Sequence, residues 1–450
     1  MALPLEGIRV VDFTQVFAGP TCTRILSDLG ADVIKIEART RADITRSLII
    51  ADNDGRATPW NRGSYFVVRN AGKRGVTLDL NDERGRALAR RLIEGADVVA
   101  ESFTPRVMEG FGLDYERVRQ IKPDVIMISL SGYGQDGPYR DYSAYGMGLE
   151  PASGISQQTG YPDGDPIRSG LSFTDPVSGF IGAGAVLLAL EHRRRTGKGQ
   201  YIDLSEQEAA IGLVAYALME AQMNGRLPER RGNRSWCGDA PQGVYPCAGR
   251  DRWVAISVAS DEQWEALCEE AGHPEWKDDP RFADILGRNE HQDALDEAIA
   301  TWTRGLQNDE VARRLQARGV RAAPVLDGRD ILFDEHFRAR RHFDVIDQPA
   351  IGKRPVQRHL AAKFSGFEAA ARGPAPLLGE HNREVLQGLL GVSDAEYAEL
   401  ESAGVIGDRP ALPVPGEVMS AVLKLPYDAY VQQGLLLEID PDYERRLGLA

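Results

Sequence analysis

Short apolar runs alternate along the chain with amphipathic or mixed segments, and the alternation predicts strands and helices in turn. Residues 8–13, IRVVDF, form a β-type run, and the mixed segment 19–29 predicts a helix that stops at Gly30. Residues 31–37, ADVIKIE, predict the next strand, and residues 76–78 a further one. Residues 81–93 are amphipathic at helical spacing and end at Gly95, after which 96–100 and 125–130, VIMISL, read as buried strands. GADVIKIE at 30–37 returns as GADVVAES at 95–102, a reused helix-to-strand connection without the fixed period of a solenoid. Helices alternating with short apolar strands predict a parallel, doubly wound sheet, hence an α/β fold.

Residues 132–170 are rich in Gly, Tyr, Asp, Pro and Ser with little periodicity and predict a long functional loop region. Two long helices are expected at 176–195 and 205–224, closing a large domain over 1–224. A linker at 225–242 leads to a small α/β domain at 243–324, with a strand at 253–258 and helices near Asp261, His291 and Asn308. Residues 325–412 form a linker and a return to the large domain, with a Pro/Gly-rich crossing at 373–376, and 413–450 stand behind a Pro-rich break as a C-terminal extension.

Composition narrows the class. The 450 residues are 42% hydrophobic and 27% charged, enough for a large core in two or three domains. No apolar run reaches the roughly 20 residues that span a bilayer, and the opening MALPLE lacks the regions of a signal peptide, so no membrane partner and a cytoplasmic location are expected. Cys22, Cys237, Cys247 and Cys268 have no CxxC spacing, and the seven histidines include no HExxH, so no metal is expected. A formal net charge of −14 argues against nucleic acid and requires any anionic ligand to meet a local basic patch.

Several segments could carry chemistry. Glu37 ends a strand about 20 residues after the first strand-to-turn junction, as in a dinucleotide site, but the turn QVFAGPTCT at 15–23 lacks the GxGxxG such a site requires. A helix start after that turn could still receive a phosphate or a carbonyl oxygen. The basic turn NAGKRG at 70–75 could hold phosphate, whereas HRRRTGKGQ at 192–200 reads as a helix end whose cations complement the dipole. SFTDPVSGF at 172–180 reads locally as a helix start with Asp175 as its cap. The glycines at 179, 182 and 184 behind it are poor helix formers, which points to a crowded site. A carboxylate at a helix start stays ionised and can attack an activated acyl group held against it.

These segments together resemble the family III CoA-transferases, the group of formyl-CoA:oxalate, carnitine and benzylsuccinate CoA-transferases related to α-methylacyl-CoA racemase. LEGIRVVDFTQVFAGPTCTRILSDLGADVIKIE resembles the family's opening, and NAGKRGVTLDL, SGYGQDGPYRD, SGLSFTDPVSGF, HRRRTGKGQYIDLSEQE and APLLGEHNREVL follow in the family's order, from residue 5 to about 391. The resemblance implies a Rossmann-like large domain containing both chain ends, a small domain inserted in it, and a ring-shaped chain interlocked with a partner in a homodimer. It implies that Asp175 attacks an acyl-CoA thioester and passes through anhydride and aspartyl-CoA thioester intermediates, with no permanently bound cofactor. It assigns Gln15, Val16, Phe17 and Ala18 to the CoA-lining turn, Lys73 to the phosphate side, Ser102 and Phe103 to the segment after the fourth strand, and Tyr145 to the active site. Ala38, Gly110 and Ser143 stand where some members carry basic CoA contacts, so Arg39, Arg41, Arg74 or Arg106 are the candidates to replace them. Phe17 and Gly146 replace a glutamine and a glutamate of oxalate-handling members, so oxalate is not the expected substrate and a larger or less polar acyl chain is, and YGMGLE at 145–150 with YPDG at 161–164 resembles members that use succinyl-CoA with bulkier or aromatic acids.

Two alternatives compete. A racemase of the same superfamily needs a histidine in the loop matched by 140–146, where none occurs. A CoA-binding but inactive subunit of a heteromeric transferase would explain the missing basic contacts, but would not need Asp175.

Overall fold

The computed structural model describes residues 2–51, 58–412, 427–434 and 436–449. It separates into two compact units: Met1–Ile155, Ser169–Ala215 and Glu335–Ala450 form the first, Ser156–Arg168 and Tyr216–Asp334 the second.

The first unit is built on six parallel strands: β1 (Arg9–Asp12), β2 (Asp32–Glu37), β3 (Arg74–Thr77), β4 (Val98–Glu101), β5 (Ile126–Ser131) and β6 (Gln200–Ser205). Their order is β3-β2-β1-β4-β5-β6, with Val10 paired to Val33 on one side and to Val98 on the other. The central strands read as near-continuous apolar runs because both faces are covered. Val11, Ile34, Val99 and Met127 point into one core with Leu88, Leu92 and Ile93 of helix Glu83–Glu94. Val10, Val33, Val98 and Ile128 point into the other with Cys22, Ile25 and Leu26 of helix Ala18–Asp28 and Ala183 and Val186 of helix Thr174–Thr196. Each such side chain contributes roughly 1.5–3 kcal/mol by leaving water.

The glycines behind Asp175 have a packing reason. A Cβ on Gly179 would lie 2.7 Å from Cβ of Thr21 and 2.8 Å from the carbonyl oxygen of Ala18, and one on Gly182 would lie 3.0 Å from Leu130. Helix Thr174–Thr196 therefore rests almost backbone to backbone on helix Ala18–Asp28. Val385, Leu386, Tyr397, Leu400 and Ile406 return to the first core, so the chain's late segment completes the sheet's cover.

The second unit contains the antiparallel sheet β7 (Gln242–Pro246), β8 (Trp253–Ser257) and β9 (Arg321–Pro324). Trp264, Leu267, Leu295, Ile299, Val311 and Leu315 of helices Asp261–Ala271, Gln292–Thr303 and Asn308–Ala317 fill its core. Residues 243–324 lie within it, and 216–242 and 325–334 belong to it as well.

Two expectations are corrected. The helix expected over 205–224 is broken into Glu206–Ile211, a 3₁₀ turn at Gly212–Val214 and Ala215–Asn224, where glycine weakens helical propensity. The loop region 132–170 contains helices at Gly146–Ala152 and Ile155–Gln158, too short to show a period. Of the extension, 413–426, 435 and 450 lie outside the described residues.

Candidate active site

The strand order reverses between β1 and β4, and the loops that leave their carboxyl ends diverge there, the place where open α/β sheets bind ligands. The amide of Gln15 donates to Oγ of Ser102 at 2.9 Å and ties the two loops together. Val16 next to it has φ of 69°, a left-handed conformation rare for a β-branched residue. Its N–H is held by the carboxylate of Asp43, which also accepts from the ammonium of Lys35 at 3.2 Å. The loop is pinned from below while its upper side is open. Above it is a cavity of about 640 Å³ whose wall includes Gln15, Val16, Arg39, Arg41, Ser102, Phe103 and Tyr145, closed on one side by Pro410 and Leu412. Arg39 joins that late segment directly, its Nε donating to the carbonyl of Arg409 at 2.9 Å. Arg41 is exposed, and among the described residues no carboxylate pairs with it. The cavity thus has a basic mouth, an apolar wall and a polar floor.

Asp175 lies in the first turn of helix Thr174–Thr196 and is only 7% exposed. It does not cap the helix. Phe173 already has helical angles, no side chain makes a capping bond, and the carboxyl is turned inward. A Cβ placed on Gly146 would come within 1.6 Å of its Oδ2, so only glycine leaves room beside it. That Oδ2 is buried and has no hydrogen-bond partner. Burial pushes the carboxyl up to about 6, opposed by its own backbone N–H and by the charge of Arg69. At neutral pH it is mostly an anion, but a desolvated one. Tyr145 links this carboxylate to the cavity, since it lines the wall and directly precedes Gly146. A poorly solvated carboxylate with an unoccupied oxygen, next to a pocket of this size, is suited to nucleophilic attack on an acyl group.

The sequence model of CoA-transferase family III matches residues 5–382. The chain belongs to CoA-transferase family III. A succinyl-CoA–D-citramalate CoA-transferase of Chloroflexus aurantiacus is 35% identical over 403 residues, covering 90% of this chain and 98% of the relative. A formyl-CoA:oxalate CoA-transferase of Streptomyces avermitilis is 34% identical over 422 residues, covering 90% of this chain and 100% of the relative. Among solved structures, a CAIB/BAIF family protein from Brucella suis aligns with a TM-score of 0.78 at 32% identity, covering 86% of this chain and 100% of that one. This family III protein is a CoA-transferase, and its substrates are CoA thioesters.

The structure of this family III transferase brings together Gln15, Val16, Arg39, Ser102, Phe103 and Tyr145 around one cavity. The other residues assigned to CoA do not line it. Ala18 begins the buried helix, and Phe17 stacks with Tyr65 edge to face and lies under the guanidinium of Arg69 at 3.6 Å. Lys73 is buried beneath β1, with Nζ donating to Asp12 at 3.0 Å, Asn70 at 2.9 Å and Thr23 at 2.7 Å. Arg74 is spent on Asp32 and Glu384, and Arg106 on Asp141. Arg106 instead borders a smaller cavity of about 240 Å³ with Glu101 and Tyr201. The cations nearest the main cavity are therefore Arg39 and Arg41.

Three residues of the transferase site were not legible in the sequence. Arg69, clamped between Phe17 and Tyr65 at 3.6 and 3.7 Å, is the cation whose charge acts on Asp175, and burial lowers it to about 10. Glu206, the first residue of its helix, is 8% exposed and pushed up to about 8 by burial and by Asp175. Glu101, 3% exposed, is pushed up to about 7 by burial while accepting the amide of Phe103 at 2.8 Å. None of the three was a candidate site residue on the sequence, and their burial comes from tertiary packing. Among the described residues no group of His, Cys, Asp and Glu could hold a metal, and no helix is long and apolar enough to cross a membrane.

Proposed function

We propose that the chain moves CoA from an acyl-CoA donor to a carboxylic acid acceptor through covalent intermediates on Asp175. The carboxylate attacks the thioester carbonyl; a C–O bond forms, the C–S bond breaks, and CoA leaves as the thiolate with the electron pair. The thiolate then attacks the Asp175 carbonyl, the anhydride C–O bond breaks, and the donor acid leaves as a carboxylate. An incoming carboxylate attacks the Asp175–CoA thioester in the same way, and the returning thiolate forms the new acyl-CoA and frees Asp175. No proton is gained or lost over the cycle, so the transfer itself calls for no general acid or base.

The observation that carries this reading is the buried Oδ2 of Asp175 with no partner, beside a cavity with a basic mouth. Gln15, Val16, Ser102 and Phe103 would line the path of the CoA arm, and Arg39 and Arg41 would receive its phosphates. The relatives named for succinyl-CoA favour that thioester as donor. The absence at 17 and 146 of the glutamine and glutamate that the resemblance places in oxalate-handling members favours an acceptor other than oxalate. A second chain is part of the proposal, as homodimer or with a related subunit. Phe180, Ile181 and Leu188 leave 46%, 47% and 74% of their surface exposed on helix Thr174–Thr196, a face in keeping with an interlocked partner. One relative is named as the beta subunit of a succinyl-CoA–L-malate transferase.

The test is incubation of the full chain with succinyl-CoA and a panel of acids, quenched with hydroxylamine and read by mass spectrometry at Asp175. Asp175 is expected to become the hydroxamate, and Asp175→Ala to lose transfer. An unmodified Asp175, with full activity in the alanine variant, would sink the mechanism.

A further inference from the structure

Helices Gly146–Ala152, Thr174–Thr196 and Glu206–Ile211 pack against one another pairwise. The amide of Gln207 donates to the carbonyl of Gly132 at 3.0 Å, and a Cβ on Gly132 would lie 2.8 Å from Cβ of Ala144, so the start of the third helix stands beside the segment that opens the first, where Gly146 adjoins Asp175. Gly146 makes room for Oδ2 of Asp175. Glu206 is the second carboxyl, as buried as the first, at 8% and 7% exposure. The charge of Asp175 acts on it, and no other charged group is among the causes of its shift.

The remaining ionisable groups on the packed elements are engaged elsewhere. Glu150, on helix Gly146–Ala152, accepts the amide of Ser169 at 2.6 Å and its hydroxyl at 3.0 Å. Asp203 on β6 accepts the amide of Gln135, and Glu208 is exposed. Arg69 and Tyr65, on helix Ser64–Asn70, act on Asp175 but do not appear among the influences on Glu206. Buried beside the Asp175 charge and with no cation among the influences on it, Glu206 is the carboxyl that stays protonated, while the charge of Arg69 favours the ionised form of Asp175.

We propose that Glu206 is a positioning residue for Asp175: its carboxyl keeps its proton while Asp175 is ionised, so that an acceptor carboxylate entering the site meets a single negative charge. The inference rests on the Asp175 reading above and deepens it. Burial pushes Asp175 to about 6 and burial with the Asp175 charge pushes Glu206 to about 8, the order this assignment requires. The proton is not consumed in transfer. Its loss at high pH adds a second anion beside the nucleophile, repels the acceptor and closes the site to it.

The experiment follows the Asp175–CoA thioester formed from succinyl-CoA, sampled as the hydroxamate after a hydroxylamine quench, and the discharge of that thioester by carboxylic acids added before the quench, from pH 6 to 9.5 in the wild type, Glu206→Gln and Glu206→Leu. Each chain is compared with itself. The wild-type discharge rate is expected to fall about tenfold per pH unit above the Glu206 transition. The Gln variant, which keeps a neutral donor, is expected to change less than about threefold over that range and to restore most of what Leu loses at pH 7. The same alkaline fall in the Gln variant overturns the proposal. Carboxyl ¹³C NMR of glutamate-labelled protein separates this from the nucleophile reading. Glu206, assigned by its absence in the Gln variant, should titrate near 8 in the wild type and lower in Asp175→Asn. Titration of Glu206 in the ordinary carboxylate range overturns the proposal whatever the labelling shows, whereas failure to label Asp175 with a raised Glu206 overturns the nucleophile alone.

Discussion

Gly146 and Asp175 are matched so closely that a single methyl group at 146 would overlap Oδ2 of Asp175 at 1.6 Å. Gly146 does not have a positive φ, so alanine is conformationally allowed there, and the methyl meets the Asp175 carboxyl and, at 2.7 Å, Cβ of Ser172. Gly146→Ala is expected to displace Asp175 and lower kcat by about 100-fold or more, the scale on which misplacement of about 1 Å acts. Gly148, two residues on, has nothing within 4 Å of a Cβ, and Gly148→Ala should leave kcat within about twofold. Steady-state rates with thermal melts for both variants check this. Equal rates would mean that the site can rearrange around the methyl.

Arg41 carries the exposed charge at the cavity mouth. Arg41→Gln is expected to weaken CoA binding about 3- to 10-fold, the range of one partly solvated phosphate contact, and to flatten its salt dependence. Binding of pantetheine, which has no phosphate, should not change. Calorimetry of both ligands at two salt concentrations decides the point, and an equal loss for pantetheine would remove the phosphate from the account.

Lys73 tests the opposite kind of basic residue. Its ammonium is fully buried on Asp12, Thr23 and Asn70, and burial lowers it to about 8. Lys73→Met leaves Asp12 charged and unpaired at 0% exposure, and breaking a buried pair in this way costs about 3–5 kcal/mol. Urea unfolding should record that loss, while CoA affinity measured well below the transition stays within about threefold. A tenfold loss of affinity with unchanged stability would instead place Lys73 on the ligand.

These three residues mark how far the sequence could be read. The sheet was legible because strands buried on both faces are largely apolar, as VVA at 98–100 and IMISL at 126–130 are; IKIE at 34–37 departs from this, its Lys35 and Glu37 being buried in ion pairs with Asp43 and Arg46. Asp175 stood out only through the order of motifs around it, since locally it looked like a cap. The room for its buried carboxyl depends on a glycine 29 positions earlier, and no local pattern encodes that contact. Lys73 and Arg41 were both candidate CoA contacts, and only tertiary burial separates the ion-pair partner of Asp12 from the cation at the cavity mouth. Glu206 was hidden for a related reason: an acidic first turn ordinarily faces water and complements the helix dipole. The break of the helix at Gly212 was hidden too, because isolated glycines are often tolerated.

Glu101 offers a test of the site's electrostatics that needs no substrate. Its carboxyl is 3% exposed, and burial pushes it from 4.5 to about 7, against hydrogen bonds from the Ser129 hydroxyl and the Phe103 amide. Because the folded-state value is the higher one, the folded chain holds more protons than the unfolded chain between pH 4.5 and 7. Stability from this group is therefore intact below about pH 4.5, falls as pH rises, and is fully lost above about 7. Glu101→Gln removes the titration but keeps an acceptor for Phe103. The stability of the Gln variant relative to wild type should rise by about 1–3 kcal/mol between pH 5 and pH 8. Taking the difference between two pH values cancels any constant effect of the amide, and the other titrating groups are common to both chains. Guanidinium unfolding of both chains at the two pH values measures it. A difference that does not change, or that shrinks as pH rises, would mean that Glu101 is ionised in the folded protein throughout and that the loop carrying Ser102 and Phe103 is held by a charged group rather than a neutral one.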